Sequence, residues 1–274
     1  MSAPHEKQNP MIRIKSDDAE IAYQTLGSGS PIVLLHPFPV HHEFWLPAAQ
    51  ALSNRYQLIL PDLRGHGESV AGGPATMEKH ANDIARILDH AGLGRVPFAG
   101  VSIGGYVLFE FWRRYRGRVA ALALINTKAP ADSPEAKAGR LQAAADVLER
   151  GTEPFFEGMV PKLISKTTRA SRPDLVDGAL RMMRKMSAGD VAQVQRGMAE
   201  RPDSVADLKT INVPTLLMTG DEDTLTGPPE AELMRQNIAG SELKIIRHAG
   251  HYSPWEQAAE VGKLLRQFFD SVNG

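Results

Sequence analysis

The chain contains no cysteine. That absence excludes disulfides, a thiol nucleophile and cysteine-based zinc or iron–sulfur sites. It fits a reducing compartment, and a cytoplasmic protein is the expectation. Charge of one sign is lacking too. Lys and Arg total 31 against 32 Asp and Glu, a net charge of −1. The basic footprint of a nucleic-acid binder is therefore missing. No apolar run approaches the ~18 residues that a membrane span needs. Neither nucleic acid nor a membrane is an expected partner. The first ten residues, MSAPHEKQNP, are polar and have no apolar core, unlike a secretory signal. No internal repeat or low-complexity tract is present. What remains is 274 residues with 42% hydrophobic and 23% charged content. That is ordinary for a globular chain and long enough for one large core, with or without an insert.

Short apolar runs read as strands at Ile21–Thr25, Ile32–His36, Gln57–Pro61, Pro97–Val101, Ala121–Asn126, Thr215–Gly220 and Leu243–Ile246. Most lack alternation, which suits strands buried on both faces of a parallel sheet. Helical spacing runs through Met77–Ala91, Gly104–Tyr115 and Trp255–Phe269. Alternating strands and helices at both ends predict an α/β sheet with crossover helices. The middle differs. From Ala131 to Leu208 no strand pattern appears, and 134–150, 153–164, 173–186 and 190–200 read as helices. SRPD (171–174) and SAGD (187–190) look like helix starts. The expected organisation is a core of residues 1–130 and 209–274 with a helical cap, 131–208, inserted in it.

The stretch FAGVSIGGYV, residues 98–107, carries G-x-S-x-G where a strand pattern becomes a helix pattern. That context is what a nucleophile elbow needs. On so sharp a turn a Cβ two residues before or after Ser102 would collide, which favours Gly100 and Gly104. The helix N-terminus then aims the Ile103 N–H at an oxyanion. A serine nucleophile needs a base, and the base an orienting acid. After Ser102 the chain has only two histidines, His248 and His251, both in RHAGHYSPWE. An acid pair, Asp221 and Asp223, follows the late strand in LLMTGDEDTLTGP. Both clusters sit at carboxyl ends of strands, where open α/β sheets build their sites. A second oxyanion donor is expected from IVLLHPFPVHHEFW. Pro37 and Pro39 have no N–H, which leaves Phe38.

Several further residues invite chemistry. His41 and His42 resemble metal ligands, but no carboxylate cluster accompanies them in sequence, so no metal is expected. DLRGHGES (62–69) tempts one to assign chemistry to Arg64 and His66, but it reads as a structured loop near the site, with Asp62 and Arg64 expected in local hydrogen bonds. Phe155, Phe156, Met159, Met182, Met183, Met186 and Met198 are candidates for an acyl pocket, although methionine at helical spacing is also ordinary core.

LLHPFP, PDLRGHGES, GVSIGG, GDED and AGHYSPWEQ occur in this order across almost the whole chain. Together they resemble the α/β-hydrolase superfamily, and within it the cap-bearing serine esterases and lactonases of the 3-oxoadipate enol-lactonase group. The resemblance implies an α/β-hydrolase fold, with a mostly parallel central sheet flanked by helices and a helical cap. It implies the acid three residues after Gly220, which is Asp223, and the base His251, followed by Glu256. One departure stands out: His36-Pro37 replaces the usual His-Gly. The expected protein is a cofactor-free esterase or lactonase acting on a small-molecule ester or lactone, N-acyl-homoserine lactones and enol-lactones included. Its triad is Ser102, His251 and Asp223, with Phe38 and Ile103 as the oxyanion hole. Another reaction on the same triad stays open (C–C bond hydrolase, perhydrolase or hydroxynitrile lyase), as do a non-catalytic receptor and a homodimer.

Overall fold

The computed structural model describes residues 10–272. The polar stretch 1–9, read above as no leader, lies outside them. The chain opens with β1 (Ile12–Ser16), β2 (Ala19–Leu26) and β3 (Ser30–Leu35), then α1 (Leu46–Ala49) and β4 (Tyr56–Pro61). A two-residue β5 (Val70–Ala71) precedes α2 (Met77–His90), β6 (Val96–Val101), α3 (Ile103–Tyr115) and β7 (Val119–Ile125). Six helices follow: α4 (Pro134–Arg150), α5 (Glu153–Leu163), α6 (Lys166–Ser171), α7 (Pro173–Met183), α8 (Ala188–Ala199) and α9 (Val205–Leu208). The chain then returns to the sheet with β8 (Thr215–Gly220), α10 (Pro228–Asn237) and β9 (Glu242–Ile246), and closes with α11 (Ser253–Glu256) and α12 (Ala258–Val272).

The strand order is β1-β2-β4-β3-β6-β7-β8-β9, with β5 on β2. From β4 to β9 every pairing is parallel, and β1, β2 and β5 form the antiparallel end. β6 and β8 are buried at every position, which is why they read as unbroken apolar runs. The site follows from this topology. The carboxyl ends of β3, β6, β8 and β9 all lie on one side of the sheet.

β1 and the final helix differ from the sequence expectation, whereas the helix starts read at SAGD and SRPD are present with different caps. β1 alternates exposed and buried residues, with Arg13 and Lys15 facing out, so it is an edge strand with no apolar run. The final helix is broken at Gln257, at φ −123° and ψ 51°. Beside the break, the Glu256 carboxylate accepts from Gly250 N–H and Ser165 N–H, each at 2.9 Å. Ser187 and Asp190 form a capping box at the start of α8. SRPD is not a side-chain cap: Ser171 ends α6, and its hydroxyl donates to the Thr167 carbonyl at 2.9 Å. Helix α7 starts instead on Pro173.

Candidate active site

Ser102 sits between β6 and α3 at φ 54° and ψ −113°, a left-handed conformation that a side-chain-bearing residue rarely holds. The surrounding backbone pins it there. Ser102 N–H donates to Ile125 O at 3.1 Å, and the Thr127 hydroxyl donates to Ser102 O at 2.8 Å. A Cβ on Gly100 would stand 2.7 Å from the Gly104 carbonyl group. On Gly104 it would meet β3 instead, 2.7 Å from Leu35 O. One glycine lets the turn close; the other lets it lie on the neighbouring strand.

The late loops bring together two more of the expected residues. His251 Nδ1 lies 3.0 Å from Asp223 Oδ2, and both side chains are buried. Asp223 is held from all sides. Its Oδ2 accepts from Asn126 Nδ2 at 2.8 Å and from the Thr226 hydroxyl at 2.9 Å. Its Oδ1 accepts from the N–H groups of Leu225 at 2.8 Å and Thr226 at 3.1 Å. Burial alone would raise the Asp223 pKa. The His251 ring and these donors outweigh it and hold the carboxyl far below its ordinary range. With Nδ1 turned to Asp223, Nε2 is the ring nitrogen left to act on a group in the cavity. Asp221 and His248 stand apart from this pair. Asp221 accepts weakly from Ala249 N–H at 3.4 Å, and His248 is exposed at φ 57° just after β9.

Ser102 and His251 line the same cavity of about 420 Å³. No hydrogen bond joins the Ser102 hydroxyl to His251 among the described residues. Phe38 also lines the cavity. The N–H groups of Phe38 and Ile103 have no partner among the described residues, so both remain open to an acceptor. Tyr252 fixes the Phe38 peptide by donating its hydroxyl to Phe38 O at 2.9 Å. Pro37 does not break this loop: Val40 N–H closes back on Pro37 O at 3.3 Å.

Three positioning residues escape a reading of the sequence: Asn126, Thr226 and Tyr252. Asn126 was expected to end a strand. It instead takes φ 44° and bonds Asp223, Gly250 O and Ser253. Asparagine tolerates that conformation and still carries donor and acceptor, the one signal available in advance.

Of the seven acyl-pocket candidates, Phe155, Met159 and Met198 line the cavity, whereas Phe156, Met182, Met183 and Met186 do not. Helices α4, α5 and α8 contribute walls, through residues such as Gly139, Leu163 and Gln195. Polar groups reach it as well. Lys128, Lys162, Arg140 and Tyr106 face it, with Asp132 as the only acid among the lining residues. Asp132 is buried and bound by Arg140 and by Arg201, the latter at 2.8 Å. Arg201 in turn lies 4.2 Å over the Tyr106 ring.

The loop after β4 corrects two expectations. His41 and His42 do have a carboxylate beside them: donor atoms of His41, His42 and Asp62 lie within 4.8 Å of one another. Within the trio, Asp62 pairs with His42 and not with His41. Asp62 Oδ1 accepts from the His42 ring and the His42 N–H, both at 2.8 Å, and Oδ2 from Glu68 N–H at 2.9 Å. Burial would raise the Asp62 pKa, but the His42 contact brings it down to about 2. Arg64 is not locally bonded. It reaches Asp83 in a fork at 2.7 and 2.8 Å and Asp18 at 2.6 Å, tying the loop to α2 and the β1–β2 turn.

With this geometry in view, the relatives follow. Residues 30–258 match the family described by its alpha/beta hydrolase fold, and the chain belongs to that family. Among solved structures it is similar to a thermophilic esterase from Thermogutta terrifontis, at 37% identity over 97% of this chain and 100% of that one, with TM-score 0.93. It is similar to the enol-lactonase from Burkholderia xenovorans LB400, at 25% identity over 94% of this chain and 100% of that one, with TM-score 0.88. A curated relative, a non-heme haloperoxidase of Rhodococcus erythropolis, is 28% identical over 93% of this chain and 98% of its own length.

Proposed function

We infer that the protein is a serine hydrolase that cleaves a carboxylic ester or lactone through an acyl-enzyme. The observation that carries this reading is His251, paired with Asp223 at 3.0 Å, in one cavity with a serine held at φ 54°. Ser102 attacks the carbonyl and His251 takes its proton. Asp223 keeps the imidazole oriented and stabilises the charged ring. The Ile103 and Phe38 N–H groups receive the developing oxyanion. His251 returns the proton to the leaving alcohol, and water then releases the acid. No cofactor enters these steps.

Residues of α4, α5 and α8 line the same cavity as Ser102, which supports a cap role for residues 131–208. A cavity of about 420 Å³ suits a small or medium substrate. Lys128, Lys162 and Arg140 against Asp132 favour one that carries a negative charge. The haloperoxidase relative favours one variant, in which hydrogen peroxide in place of water takes the acyl group and yields a peracid.

The test is a panel of neutral and carboxylated esters and lactones of graded acyl length, run with and without peroxide. Turnover of at least one ester or lactone, abolished in Ser102→Ala, is expected. A purified protein inert toward the whole panel would remove the reading.

A further inference from the structure

A second cavity of about 390 Å³ shares no lining residue with the first. It lies between the turn that leads into α1, helix α7 and the short α11. Its apolar wall is Leu46, Pro47, Met182 and Trp255. The indole N–H donates to Leu175 O at 3.0 Å, which fixes the ring. A Cβ on Gly178 would stand 2.7 Å from that ring, so glycine lets α7 run this near it.

The charges are unbalanced. Arg181 and Lys185, four residues apart, both line the cavity, and neither side chain has an ion pair or hydrogen bond among the described residues. Glu43 is the only acid in the lining. His41 completes the wall. It is 4% exposed, and neither ring nitrogen is hydrogen-bonded among the described residues. Burial, joined by His42 and Lys185, lowers the ring's pKa against the pull of Asp62 and Glu43, which favours the neutral ring. A neutral imidazole has one N–H to offer. The cavity thus presents two unpaired cations, one unpaired ring and an aromatic floor, a pattern that a built small-molecule site shares.

We propose that this cavity is a second binding site, for a small organic anion with a flat apolar body, an arene carboxylate being its simplest form. The anionic group sits between Arg181 and Lys185, and the apolar body lies on Trp255 and Met182. The net charge of the lining, two cations and one acid, sets the preference for a monoanion. The site stands independently of the hydrolase reading.

Benzoate is the probe, titrated by calorimetry and by tryptophan emission. One saturable phase is expected. It weakens at least threefold in Arg181→Ala/Lys185→Ala, tightens in Glu43→Gln, and is unchanged in Lys128→Ala/Lys162→Ala, which alters the first cavity. Thermal unfolding checks that each variant is folded. Should the double cavity variant fail to fold, Glu43→Gln alone decides. Three results overturn the proposal: no saturable phase, a phase that outlasts loss of both cations, or a phase that depends on Lys128 and Lys162 instead.

Discussion

At the residue scale, Ser102 carries a conformational cost as well as a hydroxyl. A positive φ costs a side-chain-bearing residue about 1–2 kcal/mol, and glycine escapes it. Ser102→Ala removes the hydroxyl but keeps the strain; Ser102→Gly removes both. Both variants are expected to lose ester turnover by several orders of magnitude. Ser102→Gly is expected to unfold at a higher denaturant midpoint than Ser102→Ala, by about 1 kcal/mol. Equal midpoints would show that the turn stores no strain. The acid allows a sharper comparison. Asp223 receives five hydrogen bonds, His251 among them, while Asp221 faces solvent. Asp223→Asn is expected to cut kcat by about 10³–10⁴, since the amide favours the wrong imidazole tautomer. Asp221→Asn is expected to leave kcat within about twofold. Similar losses from the two would mean that the carboxylate was assigned wrongly. Ser102, Asp223 and His251 could be singled out in advance because their motifs are local in sequence, and the structure brings His251 to Asp223 and to the cavity of Ser102. Asn126 was not, because its role depends on loops 97 and 124 residues away.

At the element scale, legibility followed burial. β3, β6, β7 and β8 lie inside the sheet and read as continuous apolar runs. β1 sits at its edge with Arg13 and Lys15 in alternation, and β5 has two residues, so neither leaves a run to read. The helices after β7 show periodicity, but periodicity does not say which neighbour an apolar face meets. Met186 was one candidate for the acyl pocket; it is 3% exposed and lies off the cavity, whereas Met159 lines it. The two therefore separate function from packing. Met159→Trp is expected to shift the preferred ester toward shorter acyl chains with little loss of stability. Met186→Trp is expected to cost about 1–3 kcal/mol by overpacking and to leave the acyl-length profile unchanged. A profile measured across graded p-nitrophenyl esters, with melting curves for both variants, decides. A changed profile in Met186→Trp alone would reverse the assignment.

At the scale of the whole molecule, the fold buries more histidine than its chemistry uses. His36, His66 and His80 are at most 1% exposed. The His66 ring meets His36 at 4.9 Å and Phe38 at 5.8 Å, edge-on in both cases. Burial lowers all three pKa values, aided by the neighbouring histidines for His36 and His80 and opposed by Asp62 for His36 and His66. For His66 the value falls from 6.5 to about 4. Between those two pH values the unfolded chain binds a proton that the folded site excludes. Stability therefore falls as pH drops through this window, by about 1.4 kcal/mol per pH unit for each such group. His41 acts in the same sense. His42 acts oppositely. Burial lowers its pKa, but the Asp62 contact overcomes this and raises it, so its contribution is full below 6.5 and is lost as pH rises through the raised value. Four of these five histidines thus destabilise the fold on acidification. The urea midpoint is expected to drop steadily from pH 6.5 to 4.5, and His66→Gln, which cannot titrate, is expected to flatten that slope by about one proton. A midpoint constant across the window, or a slope unchanged in His66→Gln, would mean that the buried rings are already protonated in the fold.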